Sequence, residues 1–263
     1  MAQAKKQEVV EKQNTAISTN VMDFGADAGA GFEEADADSY SVPFVRILQS
    51  NSPQCKKSDG AYIQGAEEGS IFNTATNKLM ETLSLIPCHF RRVFIEWVPQ
   101  DNGGGFVAEY DVPTGKDMEL TLSAPDASGK RFLPNGNQLV DTRMHYCIDA
   151  VTEEPMVVCM SSTQLKKSRN WMTLMQSTKC TREDGRKFTP PMFSQQFLLE
   201  TVPESNDKGS WFGWKITPQG FVENEQAYII AKSFRDQVVS GKVEVKHQQD
   251  AEAGDDGDGT EDF

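Results

Sequence analysis

Residues 143–160 read RMHYCIDAVTEEPMVVCM. Apolar and polar side chains alternate most clearly over residues 143–151, and a second apolar run follows at residues 156–160. Alternation with a period of two is typical of a β-strand with one buried face. The polar TEEP between the two runs has a length that suits the loop of an antiparallel pair. This stretch therefore predicts a β-hairpin.

Other short runs of β-branched and aromatic residues predict further strands on both sides of this hairpin. These runs cover residues 43–49, 83–99, 105–112, 195–202 and 211–217. The last two are separated by the polar stretch PESNDKGS, which predicts a loop and a second hairpin.

Two stretches predict helices. Residues 161–180 open with hydroxyl side chains suited to an N-cap. Within residues 223–240 the apolar residues follow helical spacing. They are Ala227, Ile230, Ala231, Phe234 and Val238. The fold class expected is mainly β with two helices, and many short antiparallel strands favour an OB-like barrel of five strands.

The charge distribution divides the chain into three parts. Residues 21–40 carry six acidic side chains and residues 250–263 carry seven, with no basic residue in either segment. Together they equal the whole net charge of −13, so the remaining chain is neutral, with 26 acidic and 26 basic residues. Acidic segments poor in large apolar residues are typical of disorder. We expect a disordered acidic N-terminal segment at 1–40, one OB-like nucleic-acid-binding domain at 41–240 and a disordered acidic tail at 241–263.

The composition also indicates where the protein works. No apolar run approaches the roughly 18 residues that a membrane span needs, so no membrane association is expected. The first residues, MAQAKKQEVVEKQ, lack the apolar core of a signal peptide. The five cysteines contain no CxxC pair, which favours free thiols in a reducing cytoplasm over disulfides.

Catalytic and metal-binding motifs are missing from the sequence. It contains no GxSxG, no HExxH and no phosphate-binding loop ending in GK[ST]. Cys88 with His89, or His145 with Cys147, would need two further zinc ligands at suitable spacing. We therefore expect no enzyme activity, no metal and no cofactor.

Basic and aromatic residues are interspersed in four segments of the central domain. Unstacked nucleic acid needs this combination, because cations contact phosphates and bases stack on aromatic rings for about 1–3 kcal/mol each. The residues predicted to contact DNA are Arg91, Arg92, Phe94, Lys166, Lys167, Arg169, Trp171, Arg182, Arg186, Lys187, Phe188, Trp211, Trp214 and Lys215. From these segments alone, an ordinary solvated surface around an aromatic core explains the pattern equally well.

The acidic tail favours the binding hypothesis. A flexible acidic segment can occupy a cationic groove in place of DNA phosphates. A terminal phenyl ring beside a carboxylate gives a protein partner an apolar group and a charge to recognise. The residues predicted to bind partners are Asp255, Asp256, Asp258, Glu261, Asp262 and Phe263.

Two motifs make the chain resemble the single-stranded-DNA-binding proteins of lytic tailed phages. One is the basic stretch TQLKKSRNW at 163–171, and the other is the acidic ending DGDGTEDF at 256–263. The resemblance implies an OB-type core and sequence-independent binding of single-stranded DNA in phage DNA replication and recombination. It also implies recruitment of replication proteins such as polymerase and helicase-primase through the tail, in the host cytoplasm. The acidic segment at 21–40 is a departure from that family. The sequence leaves open whether the protein is a homodimer.

Two other functional classes compete with this one. Net charge favours an acidic DNA mimic or inhibitor that acts on a host DNA-handling enzyme, although such a protein needs its acids on a folded surface. A metal-dependent nuclease would need a compact group of carboxylates or histidines, which the sequence lacks. Binding to oligo-dT separates the first alternative from a DNA-binding protein.

Overall fold

A computed structural model describes residues 42–121, 129–207 and 209–243, together with the short pieces 25–26, 30–34, 125–126 and 245. The predicted N-terminal segment at 1–40 therefore falls mostly outside the described residues. The acidic residues of the tail and Phe263 fall wholly outside them.

The described residues form eleven strands and three α-helices. The strands are β1 Phe44–Ile47, β2 Ile71–Asn73, β3 Leu79–Met80, β4 Thr82–Val98, β5 Gly105–Asp111, β6 Gln138–Asp149, β7 Pro155–Met160, β8 Cys180–Thr181, β9 Lys187–Phe188, β10 Gln195–Asn206 and β11 Gly209–Phe221. The helices are α1 Val112–Thr121, α2 Leu165–Ser177 and α3 Glu225–Val239. None of these helices has the length and apolar character needed to cross a membrane.

The predicted mainly β character is confirmed, and each predicted strand and both predicted helices are present. The stretch 143–160 forms the antiparallel hairpin β6–β7, with Met144 opposite Cys159. The loop predicted between residues 202 and 211 is wrong. Strands β10 and β11 continue through it and pair as far as Asn206 and Gly209.

The predicted OB-like closed barrel is also wrong, because the sheet is open. Nine strands pair in the order β11-β10-β4-β6-β7-β1-β2-β3, with β5 added alongside β4. Every pair is antiparallel except β1 with β7, so the sheet is mixed. No ladder joins β11 to β3 at the two ends of this order. The remaining two strands, β8 and β9, form a separate ribbon after α2.

Two helices cover opposite faces of the sheet and create two cores. Leu85 and Ile86 are neighbours in β4, and strand geometry sends their side chains to opposite faces. Leu85 packs in the core that contains Trp171 of α2. Ile86 packs in the core that contains Phe234 of α3. Because both faces of the central strands are buried, the first half of β4 is almost continuously apolar.

Candidate nucleic-acid interface

A groove of about 510 Å³ lies between α2 and the β10–β11 hairpin. Its lining residues are Lys167, Asn170, Trp171, Thr173 and Leu174 from α2, and Val202, Trp214, Lys215 and Ile216 from the hairpin. Four of them belong to the set that the sequence predicted for DNA contact. The fold therefore brings two of the predicted segments together at one groove.

The position of α2 follows from its amphipathic pattern. Ser168, Trp171 and Met175 are buried and occupy one side of the helix at helical spacing. The residue before the helix, Gln164, accepts a hydrogen bond through Oε1 from the backbone N–H of Trp214, at 3.2 Å. This contact fixes the start of α2 against β11, so the groove has two anchored walls.

Three aromatic residues predicted to contact DNA lie in the core. Trp171 is 0% exposed, and Trp214 and Phe94 are each 2% exposed. Trp171 stacks on His145 with ring centroids 4.5 Å apart and meets Phe197 edge-on. A ring without exposed surface cannot stack on a base, so we remove these three residues from the predicted set of stacking aromatics.

The imidazole of His145, which lies beneath α2, is neutral. His145 is fully buried, and its Nε2 lies 2.8 Å from the hydroxyl oxygen of Ser168. Burial, together with the nearby positive charge of Arg143, lowers the pKa of His145 to about 3. Among the described residues, His145 Nδ1 and Trp171 Nε1 have no hydrogen-bond partner. His145 therefore contributes no cation to the groove near neutral pH.

Both lysines of the groove are paired with glutamates of β10. Lys215 Nζ lies 2.9 Å from Glu200 Oε2, and Lys167 forms an ion pair with Glu204. The other oxygen of Glu204 accepts a hydrogen bond from the indole N–H of Trp211, at 3.1 Å. All four charged side chains remain partly exposed, and pairs of this kind contribute only about 0–1 kcal/mol. A ligand anion that replaced either glutamate would therefore lose little ion-pair energy, although at Glu204 it would also break the hydrogen bond to Trp211.

The predicted arginines of β4 lie away from the groove. Arg91 contacts Glu109 at 2.9 Å and Asp111 at 3.0 Å, and it lines a different cavity beside the end of α3. Arg92 binds Asp141, and this hydrogen bond raises the pKa of Arg92 despite partial burial. Neither arginine shares the groove with Lys167 and Lys215.

The remaining predicted residues divide between α2 and the β8–β9 ribbon. Lys166 and Arg169 lie exposed on α2, each next in sequence to a groove residue, Lys167 and Asn170. The ribbon after α2 carries the others, which are Arg182, Arg186, Lys187 and Phe188. The guanidinium carbon of Arg182 lies 5.2 Å from the ring centroid of Phe188. The ribbon thus presents a cation and a partly exposed ring together.

The sequence prediction missed the groove residues Val202 and Leu174 and the glutamates Glu200 and Glu204. The sequence contained a signal for the β10 residues. Residues 200, 202 and 204 are spaced by two, so in a strand their side chains lie on one face. The predicted strand ended at residue 202, so it did not extend to Glu204. Only the register of the hairpin shows that Glu200 faces Lys215 and that Glu204 faces Trp211.

Comparison with known protein families gives a match over most of the chain. The family model described as Pam3 phage gp34-like protein matches residues 11–244, which is most of the chain. The chain belongs to the Pam3 phage gp34-like family. No curated protein and no solved structure matches it.

Membership of this family makes the chain a phage protein. This confirms the phage part of the resemblance drawn from the sequence, while single-stranded DNA binding stays a prediction. The partner-binding residues predicted between Asp255 and Phe263 lie outside the described residues, so they also stay a prediction.

Proposed function

We propose that this phage protein binds single-stranded DNA without sequence preference during phage DNA replication and recombination. The observation that supports this function best is the groove between α2 and the β10–β11 hairpin. It places Lys167 and Lys215 on opposite walls around apolar side chains.

The chemistry of the groove suits an unpaired strand. Leu174 is 38% exposed, and together with Val202 and Ile216 it offers apolar surface to the face of a base. Lys167 and Lys215 offer charge to the phosphates on either side. A duplex keeps its base faces stacked inside, so a groove of this kind favours single strands.

Two neighbouring features extend the proposed contact surface. The partly exposed ring of Trp211 lies next to Lys167 through their shared contact with Glu204, and it supplies a stacking surface. The exposed residues Lys166 and Arg169 continue the positive charge along α2. All of these contacts are to phosphates or base faces, which carry little sequence information.

The acidic tail has a separate role in this proposal. Its seven carboxylates at 250–263 compete with DNA phosphates for the cations, and Phe263 with its acidic neighbours binds replication proteins such as polymerase or helicase-primase. The support is the charge complementarity between an acidic segment and the lysines of the groove.

The test is a binding titration by fluorescence anisotropy with labelled oligo-dT, a blunt duplex and RNA of equal length. We expect oligo-dT to bind more tightly than the duplex. The logarithm of its binding constant should fall with the logarithm of salt concentration by about 0.7 per phosphate contact. The double variant Lys167→Ala/Lys215→Ala should lose about tenfold or more in affinity and show a shallower salt slope.

A matched control is Lys232→Ala/Lys242→Ala, which removes two lysines from a hollow beside α3, on the other face of the sheet. This variant should bind oligo-dT like the unmodified protein. Equal or tighter binding to the duplex would exclude the stacking mechanism. Absence of any binding to oligo-dT would favour the acidic DNA mimic or inhibitor.

A further inference from the structure

Glu204 joins a cation and an aromatic ring at the edge of the groove. One carboxylate oxygen pairs with Lys167, and the other accepts the indole N–H of Trp211 at 3.1 Å. The carboxylate also lies against Gly213 of β11, so closely that a Cβ atom there would overlap it. The absence of a side chain at Gly213 therefore gives the carboxylate its place.

This arrangement uses the two protein groups that a nucleotide needs. A lysine ammonium group is a compact charge that binds a phosphate as readily as a carboxylate. An indole ring is a platform on which a base can stack when its face is free. In the structure, the same carboxylate engages both groups.

We propose that Glu204 occupies the position of a DNA phosphate at Lys167 and restrains Trp211 until DNA binds. A phosphate that arrives at Lys167 displaces the carboxylate, and the displaced carboxylate releases the indole N–H, so that the ring of Trp211 can turn onto a base. Binding of the backbone and stacking of a base are thereby coupled at one point. This inference rests on the proposed function.

A second glutamate of β10 provides a natural comparison. Glu200 faces Lys215 across the ladder and contacts it at 2.9 Å. Within the described part of the chain, no indole group donates to Glu200. Each of the two glutamates therefore neutralises a lysine of the groove. Of the two, Glu204 also accepts a hydrogen bond from an indole ring.

The experiment compares the full-length protein with its Glu204→Gln and Glu200→Gln variants. Each substitution removes one charge and keeps the size of the side chain. The indole N–H resonances of the four tryptophans are followed by NMR, and Trp211→Phe identifies the one that belongs to Trp211. Affinity for oligo-dT is measured in parallel at low and high salt, and thermal melts verify that each variant is folded.

We expect Glu204→Gln to tighten binding about three- to tenfold at low salt, with a smaller effect at high salt. Its Trp211 resonance should shift in the free protein. Addition of oligo-dT to the unmodified protein should move the same resonance, because DNA breaks the same hydrogen bond. Glu200→Gln should leave the Trp211 resonance of the free protein in place.

Two results would overturn the proposal in distinguishable ways. If the unmodified protein binds oligo-dT, and either Glu204→Gln has unchanged affinity or DNA leaves the Trp211 resonance in place, the role of Glu204 is wrong and the proposed function stands. If the unmodified protein binds no single-stranded DNA, the proposed function fails and the role of Glu204 fails with it.

Discussion

The side-chain amide of Gln49 forms two hydrogen bonds with the backbone of Phe212. Its Nε2 donates to the carbonyl oxygen at 3.0 Å, and its Oε1 accepts from the N–H at 2.9 Å. Gln49 follows β1, whereas Phe212 lies in β11 at one end of the sheet order. A side chain thus occupies backbone groups that a neighbouring strand would otherwise bind, and the sheet stays open at this edge.

The first prediction concerns this contact. Gln49→Ala leaves the N–H and C=O of Phe212 without their partners in a partly buried position, so we expect a loss of about 1–3 kcal/mol in the free energy of unfolding. Urea denaturation measures this loss in the free energy of unfolding. Gln176→Ala is the matched control, because Gln176 is exposed on α2 and its side chain makes no hydrogen bond within the described residues, so its substitution should cost no more than about 0.5 kcal/mol. Equal losses for the two variants would contradict the structural role of Gln49.

The second prediction compares two glycines with the same positive φ angle. Gly65 and Gly69 both have a φ of +85°, where an L-residue is strained. A Cβ atom at Gly65 meets nothing within 4 Å, whereas one at Gly69 would lie 2.6 Å from the ring of Phe212. Gly65→Ala should cost about 1–2 kcal/mol. Gly69→Ala should cost about 1–3 kcal/mol more, because the ring must also move.

Urea denaturation of both variants under the same conditions gives this difference directly. The strain in φ is common to the two sites and cancels in the comparison. If the Gly69→Ala variant were as stable as Gly65→Ala, the ring of Phe212 could move away from residue 69 without a measurable loss of stability.

The third prediction concerns pH. Burial, with a contribution from Arg143, holds the pKa of His145 at about 3 in the folded protein, and the unfolded chain protonates this residue near its ordinary value of about 6.5. The folded pKa is depressed, so the stabilisation is complete above about pH 6.5 and is lost as the pH falls toward about 3. Between pH 7 and pH 5 this linkage should lower the free energy of unfolding by about 2 kcal/mol.

The His145→Asn variant provides the reference, because it cannot take up the proton. Its free energy of unfolding should fall less between pH 7 and pH 5 than that of the unmodified protein. Parallel pH dependences for the two proteins would mean that His145 does not carry this linkage.

The fourth prediction concerns the acidic tail. Deletion of residues 250–263 removes the seven carboxylate side chains that we propose as competitors of DNA phosphates, so affinity for oligo-dT should rise. The increase should be largest at low salt, where charges are screened least. Removal of Phe263 alone keeps all seven and should leave DNA affinity unchanged while binding to the cognate polymerase falls. Weaker DNA binding after the deletion would exclude the competition model.

Most of the longer strands and two of the three described helices could be predicted from the sequence alone. Alternation over residues 143–151 predicts strand β6, and helical spacing over residues 223–240 predicts helix α3 and its buried side. The single buried face expected for β6 is wrong, because the residues from Met144 to Ile148 are all buried between the two cores. The helix α1 carried no such signal. Its Gly115 costs about 1 kcal/mol in a helix interior. Glycine is nonetheless needed at this position, because a Cβ atom there would overlap the ring of Phe94.

The way in which these elements combine follows from packing between distant parts of the chain. The pattern of Trp171 and Trp214 fits a ring in the core or a ring on the surface, and the meeting of α2 with β11 places both in the core. The pairing of Lys167 with Glu204 depends on contacts between residues far apart in the chain. Periodicity reports that one face of an element is buried. It does not report which distant element covers that face, because that choice is made by packing across the whole sheet.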